Sequence, residues 1–206
     1  MVCDTCQNKF CKSLSGEVRQ QLCKKSLRFV LQPRQEYLFE FSDLQIYIIE
    51  SGKLLTVRER DSGKRKGVEV LIPGEILGLS SLFNEKNNTI SLLPLKKVSG
   101  CAFNKDLIQG MCFHYPEFSC AIIRNFSQRF DRLIVDVEHI ALDSSEEKMH
   151  WALDRSNRSD SSIRMTHEEL ALLAGMHRTT TTKTLQKIKV GSRHTRESGR
   201  YRTTLK

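Results

Sequence analysis

The sequence predicts an α+β chain: a β-rich amino-terminal half, one long helix, and a small helical unit at the carboxyl end. Three observations carry this. Short segments rich in β-branched and aromatic residues recur from Leu27 to about Phe103, spaced by Gly, Pro and Asp. Large apolar residues then recur at alternating steps of three and four from Ile123 to Ile140. Finally, two short helical patterns joined by a glycine corner run into a strongly basic tail. At 206 residues the chain can form one large domain or two small ones with real cores.

The first residues, MVCDTCQNKFCKSL, hold Cys3, Cys6 and Cys11. No apolar run of the secretory kind follows Met1, and no stretch approaches the roughly 18 apolar residues of a membrane span. The expectation is a soluble cytoplasmic protein with no membrane contact, where thiols stay reduced. The seven cysteines (3, 6, 11, 23, 101, 112 and 120) therefore read as metal ligands, redox thiols or core residues, not as a disulfide framework. Cys23 falls on an expected first helix, and Cys112 and Cys120 read as buried small residues of a later helical stretch.

Strands are expected at LRFVL, EYLFEF, IYIIESGKLLTV and GVEVLI, with Gly52, Gly63, Gly67, Gly74 and Gly78 at turns. Several short strands at this spacing point to a small sandwich or barrel. Pro116 opens the long helix. Along it Ile123, Phe126, Phe130, Leu133, Val137 and Ile140 form a heptad seam flanked by charged residues, which reads as the pairing surface of a homodimer. DSSE at 143–146 has the form of a capping box with Asp143 as N-cap, and the polar run at 157–162 ends the helix it starts. These breaks divide the chain into an arm (1–13), a sensor domain (14–115), a dimerisation helix (116–142) and a helical domain (143–206).

In MTHEELALLAGMHRTTTTKTLQKIK, Thr166 and Glu169 form a capping box, and Leu170, Leu173 and Ala174 give the first helix its apolar face. Gly175 suits a tight corner needing positive φ. The second helix, about 177–188, is polar and basic. This is the pattern of a DNA-binding helix-turn-helix. From residue 178 to 206 there are nine Lys or Arg against Glu197, which leaves about one net positive charge for the rest of a chain whose total is +9. Such a block points to a polyanion, and double-stranded DNA is the usual one. His177, Arg178, Thr179, Thr180 and Thr182 sit where base edges are met, with Arg178 able to fork onto a guanine. Lys183 and Lys187 lie further along and suit phosphates. Thr181 and Thr184 are expected to face inward.

The order of these parts resembles the CRP/FNR family of bacterial transcription regulators. The residues that carry the resemblance are IPGEILGLSSLF (72–83), similar to the glycine-bearing turn of the family's effector domain, and MTHEELALLAGMHRTTTTKTLQKI (165–188), similar to its DNA-binding motif. The resemblance implies a double-stranded β-roll of the cyclic-nucleotide-binding jelly-roll type, a dimerisation helix, and a winged-helix-like helix-turn-helix. It implies a non-enzymatic regulator that binds a palindromic operator as a homodimer, with RNA polymerase as a further partner. No G-x-S-x-G, Walker loop or H-E-x-x-H supports catalysis.

Three departures qualify that expectation. Members that bind cyclic AMP place an arginine after the turn, whereas no Arg lies between Arg65 and Arg124, and Lys86 offers only a point charge. Cyclic AMP is therefore not expected. Members reading the commonest operator carry Glu, Ser and Arg where this chain has Thr179, Thr182 and Lys183, so a different half-site is expected. The tail VGSRHTRESGRYRTTLK is poor in the apolar residues a wing needs.

The cysteine spacing resembles that of the FNR-like oxygen sensors. It implies Cys3, Cys6, Cys11 and Cys101 as ligands of a [4Fe–4S] cluster, with Cys23 as the rival fourth ligand. A four-cysteine zinc site and a thiol–disulfide switch are the alternatives. So is a regulator of the same fold gated by a small organic effector in the β-roll.

Overall fold

Two long strands form the spine of the amino-terminal half: β3 (Gln45–Glu59) and β6 (Thr89–Asn104). In the computed structural model, which describes residues 8–40, 45–82, 89–157 and 165–197, they pair antiparallel from Gln45↔Asn104 to Val57↔Ser91. β1 (Leu27–Leu31) and β2 (Tyr37–Glu40) pair with β6, while β4 (Arg65–Leu71) and β5 (Ile76–Leu77) pair with β3. All pairings are antiparallel, giving a six-stranded β-roll. The four segments expected as strands are strands. β6 was hidden in the sequence by Pro94, which lacks an N–H and so argues against a central strand. The roll accommodates it where the β3–β6 register shifts, between Lys53 and Leu54.

Helices frame the roll. α1 (Lys9–Lys12) and α2 (Gly16–Lys24) precede it, and α3 (Lys105–His114) and α4 (Pro116–Leu142) follow. Asn8 and Ser15 cap the first two through their side chains. Proline stands at the first position of α4, where its missing N–H removes nothing from the helix. One apolar core joins α1 and α2 to the roll and to the start of α4: Phe10, Cys11, Leu22, Ile48, Cys101, Phe103 and Phe118 all belong to it. Phe10 meets Phe118 edge-on, with centroids 5.8 Å apart. The Ser15 hydroxyl donates to Glu117 at 2.5 Å, fixing α2 to the first turn of α4. A second core fills the roll itself, around Ile49, Leu54, Leu71 and Val98. Each of these fully buried aliphatic side chains contributes roughly 1.5–3 kcal/mol.

A third core forms between the outer face of β3 and β4 (Leu55, Val57, Val70) and the helices α5 (Ser145–Asn157), α6 (His167–Ala174) and α7 (Arg178–Glu197). The helical unit therefore lies on the β-roll. Gly67, expected at a turn, is inside β4 instead. A Cβ there would come within 3.1 Å of the Leu172 backbone, so glycine lets α6 approach the strand. Lys53, completely buried, donates from Nζ to the carbonyl of Ser156 in the last turn of α5. A cation there also meets the negative end of the helix dipole. Arg155 and Asp136 form a buried ion pair between α5 and α4, with Arg155 Nη2 2.6 Å from Asp136 Oδ2.

The capping box of α5 sits one residue later than expected. Ser144 N donates to Glu147 Oε2 at 2.8 Å, and Glu147 N donates to Ser144 Oγ at 3.4 Å. Asp143 instead ends α4 and pairs with His139 at 2.5 Å. The Thr166–Glu169 box is formed in full. Gly175 takes φ 65°, and Met176 N donates back to Ala171 O at 3.0 Å to close the corner. α7 continues to Glu197, nine residues past the expected end, so 189–197 is helical and contributes no wing strand. The rest of the tail, most of the 157–162 break, Lys86 and the first seven residues lie outside the described residues. No helix among the described residues is long and apolar enough to cross a membrane.

Candidate effector cleft and nucleic-acid interface

A cleft of about 210 Å³ lies between the roll and α4. Thr56, Arg58, Glu69, Leu77, Leu79, Ser80 and Ile90 line it from the roll, and Phe126, Arg129, Phe130 and Leu133 line it from α4. The walls are mainly apolar. At one end Arg129 grips Glu69 through Nε at 2.9 Å and Nη2 at 2.6 Å, and its Nη1 donates to the carbonyl of Ile76. Burial opposes the charge on Arg129, but Glu69 and the nearby Glu75 outweigh it and hold the guanidinium ionised. One turn on, Arg132 pairs with Glu75. Burial drives the Glu75 carboxyl above its usual range, opposed by Arg132 and the Ile72 N–H. Asn125 donates to the carbonyl of Gly74 at 2.8 Å. Three successive turns of α4 thus fasten it to the glycine-bearing turn at residues 72–78.

These groups escaped sequence reasoning, although a signal was present. Glu69 interrupts the apolar alternation of GVEVLI on its buried face, and a carboxylate there requires a cation. Arg129 and Arg132, spaced for one side of α4, were the candidates.

The expected pairing seam divides. Ile123, Phe126, Phe130 and Val137 are exposed, with Phe126 and Phe130 stacked at 6.5 Å. Leu133 turns into the cleft, and Ile140 packs on the core of the helical unit. Ile134, at 47% exposure, takes Leu133's place on the outer stripe, as a period of 3.6 rather than 3.5 directs.

The expected DNA-reading residues gather on one exposed face. His177, Arg178, Thr179, Thr180, Lys183 and Lys187 are exposed, while Thr181 and Thr184 are buried as expected. Thr182 is half-buried. Its hydroxyl donates to Arg178 O at 3.0 Å and lies 3.0 Å from His167 Nδ1, so its donor is already used inside the fold. Arg178 Nε stands 3.7 Å from Glu168 and remains largely exposed.

The cysteines are only partly assembled. Cys3 and Cys6 lie outside the described residues. Cys11 and Cys101 share the core beneath α1, exposed by 1% and 2%. Asn8 Nδ2 donates to Cys11 Sγ at 3.4 Å. Arg28 Nη1 donates to Cys101 Sγ at 3.5 Å, and the Cys101 thiol donates to Glu50 at 3.7 Å. Burial first, then Glu50, pushes the Cys101 thiol up, against the pull of Ser26 and Arg28. Cys112 is half-buried and Cys120 exposed, which corrects their expected burial: Cys120 falls on the solvent side of α4. Among the described residues no three His, Cys, Asp or Glu converge as a metal site.

Residues 31–115 match the cyclic nucleotide-binding domain family. The chain is 22% identical over 162 residues to the cyclic AMP receptor protein of Thermus thermophilus, covering 77% of this chain and 75% of that protein. It is 23% identical to a CRP-like cAMP-activated global transcriptional regulator of Mycobacterium tuberculosis, covering 68% and 67%. Among solved structures, the c-di-GMP responsive global regulator CLP of Xanthomonas campestris superposes with a TM-score of 0.75 at 16% identity, over 86% of this chain and 93% of that one. A CRP/FNR-family transcriptional regulator from Thermus thermophilus gives 0.65 at 17%, over 87% and 90%.

Proposed function

We propose, from the premise that the chain is a transcription regulator of the CRP/FNR type with a cyclic-nucleotide-binding-type sensor domain, that a small organic effector in the cleft between the roll and α4 sets how firmly two copies pair. One observation carries this reading. Phe126 and Phe130 wall the cleft and also belong to the exposed apolar stripe of α4. An occupant of the cleft therefore touches the pairing surface, and so can bind paired and unpaired states differently.

The steps follow from the residues. The effector packs on Leu77, Leu79 and Ile90 and orders the Phe126 and Phe130 rings. Ile123, Phe126, Phe130, Ile134 and Val137 of two copies then meet. Pairing sets two α7 helices about one DNA turn apart, roughly 34–36 Å, facing the two halves of a palindromic operator. Arg178 and the first-turn residues His177, Thr179 and Thr180 read base edges, and Lys183 and Lys187 neutralise phosphates. Thr182 serves the fold and not the DNA. The protein acts in the cytoplasm as a regulator and not an enzyme. To move pairing from 1:99 to 99:1 the effector must favour the dimer by about 5.5 kcal/mol.

The cleft selects its ligand by charge. Arg129 is already matched by Glu69, leaving Arg58 and Ser80 as open polar groups, so a largely aromatic or apolar body with one anionic group fits. Cyclic mononucleotides, which carry one phosphate, are the first probes, because cyclic AMP stands in the relatives' names.

A second reading rests on the thiols. Cys11 and Cys101 lie in one core, which brings the arm and β6 together. Both are buried and hydrogen-bonded, and they are the two described members of the expected ligand set, Cys3 and Cys6 lying outside the described residues. On this reading Cys3, Cys6, Cys11 and Cys101 sense oxygen or redox state by holding the [4Fe–4S] cluster between the arm and β6.

Sedimentation of purified protein separates the readings. In reductant and chelator, one of cyclic AMP, cyclic GMP or salicylate should tighten the dimer about tenfold. Tightening only after anaerobic loading with iron and sulfide would overturn the effector reading in favour of the cluster.

A further inference from the structure

A second cavity, also of about 210 Å³, lies on the other side of the α4 clasp, between α1, the 72–75 turn and α4. It shares no lining residue with the effector cleft. We propose that it is a binding site for a small hydroxylated dianion, a phosphate monoester or a dicarboxylate, which fastens the amino-terminal arm to α4.

Charge is the first argument. Arg124, Gln128 and Arg132 recur at steps of four and form one stripe of α4 along the cavity. Lys9 of α1 lines the same cavity. Arg132 is matched by Glu75, whereas no ion pair among the described residues engages Lys9 or Arg124. The lining thus holds two positive charges more than its carboxylate balances, shared between an arm and a helix that touch nearby. Like charges brought together around a concave surface favour an anion that bridges them.

Shape and hydrogen bonding narrow the ligand. Phe10, Pro73 and Ala121 give the cavity an apolar floor and wall. Its volume leaves room for a metabolite of a few carbons. Asn125 also lines it. Asn125 Nδ2 is committed to Gly74 O, and its Oδ1 is buried with no hydrogen-bond partner. A buried amide oxygen left this way asks for a donor. A ligand hydroxyl supplies one, while the phosphate, or the two carboxylates, face Lys9 and Arg124.

The site has a structural consequence. Arg124 follows Ile123 of the exposed stripe, and Lys9 lies two residues before the buried Cys11. A dianion here ties the arm to the paired helix independently of what fills the other cleft.

Titration calorimetry of the full chain at about 0.1 M salt tests the proposal, with glycerol 3-phosphate, malate and succinate as probes and lactate as the monoanion control. Glycerol 3-phosphate or malate should bind saturably with Kd below about 1 mM, and lactate about tenfold or more weakly. The exposed double change Lys9→Glu with Arg124→Glu should weaken binding at least about tenfold, and Ser80→Trp in the effector cleft should not change it. If malate is the better ligand, Asn125→Ala should erase its advantage over succinate. Binding by glycerol 3-phosphate alone assigns phosphate esters, and by malate alone dicarboxylates. The proposal is overturned if neither binds up to about 20 mM, if the double variant binds equally well, or if Ser80→Trp abolishes binding. The last result would place the anion in the effector cleft, leaving the effector reading intact.

Discussion

Arg129 holds Glu69 in a two-pronged ion pair that joins α4 to β4, with the side chains exposed by only 17% and 7%. Its worth lies in what breaking it would leave behind. Arg129→Ala strands a buried carboxylate and should cost about 3–5 kcal/mol in urea unfolding. Arg129→Lys restores the charge without the fork and should recover only part of that loss. Full stability in Arg129→Ala would mean the clasp is ornamental.

Glu75 makes stability depend on pH in a predictable direction. Its folded-state pKa is raised, chiefly by burial, above the ordinary 4.5. Between the ordinary and the raised value the native state keeps a proton that the unfolded state has lost, so stability falls as pH rises through that window. Glu75→Gln should flatten this fall. Chemical denaturation at a series of pH values reads it directly, and an unchanged slope would remove Glu75 as the cause.

Alkylation should sort the thiols by burial and proton affinity. Among the described thiols, Cys120 is exposed and should react with iodoacetamide first, with Cys112 and Cys23 slower. Cys11 and Cys101 should be modified only on unfolding, Cys101 being further protected because its thiol is pushed up. Mass spectrometry of peptides along a time course gives the order. Early labelling of Cys101 in folded protein would show that the arm opens readily.

On α7, Arg178→Ala should reduce discrimination among DNA sequences by about 1–3 kcal/mol. Lys183→Ala and Lys187→Ala should instead weaken all DNA alike and lower the salt slope by about one each. Thr182→Ala should act through folding stability. Competition binding against selected and random duplexes at several salt concentrations separates these outcomes.

The elements with strong local signals were legible in the sequence: the β segments, Pro116 at the start of α4, the Thr166 box, and Gly175 at the corner. Most of what escaped depends on contacts distant in sequence. Gly67 reads as a turn residue because nothing nearby reveals that Leu172 will press against it. Pro94 masks β6, since local chemistry argues against a strand that tertiary pairing nevertheless completes. The capping box slipped from Asp143 to Ser144 because two boxes overlap and His139 captures Asp143. For the site, residue types identified the α7 face, but the cleft needed Glu69 and Arg129 brought together across 60 positions.

Filling the cleft should strengthen pairing through α4, and the dimer dissociation constant reads this out. Sedimentation equilibrium in reductant and chelator should compare the native chain with Ser80→Trp, whose indole occupies the cleft between Leu79 and Phe130. If cleft occupancy drives pairing, the Ser80→Trp dimer is about tenfold tighter, with the monomer's melting temperature unchanged. An identical or weaker dimer would contradict it.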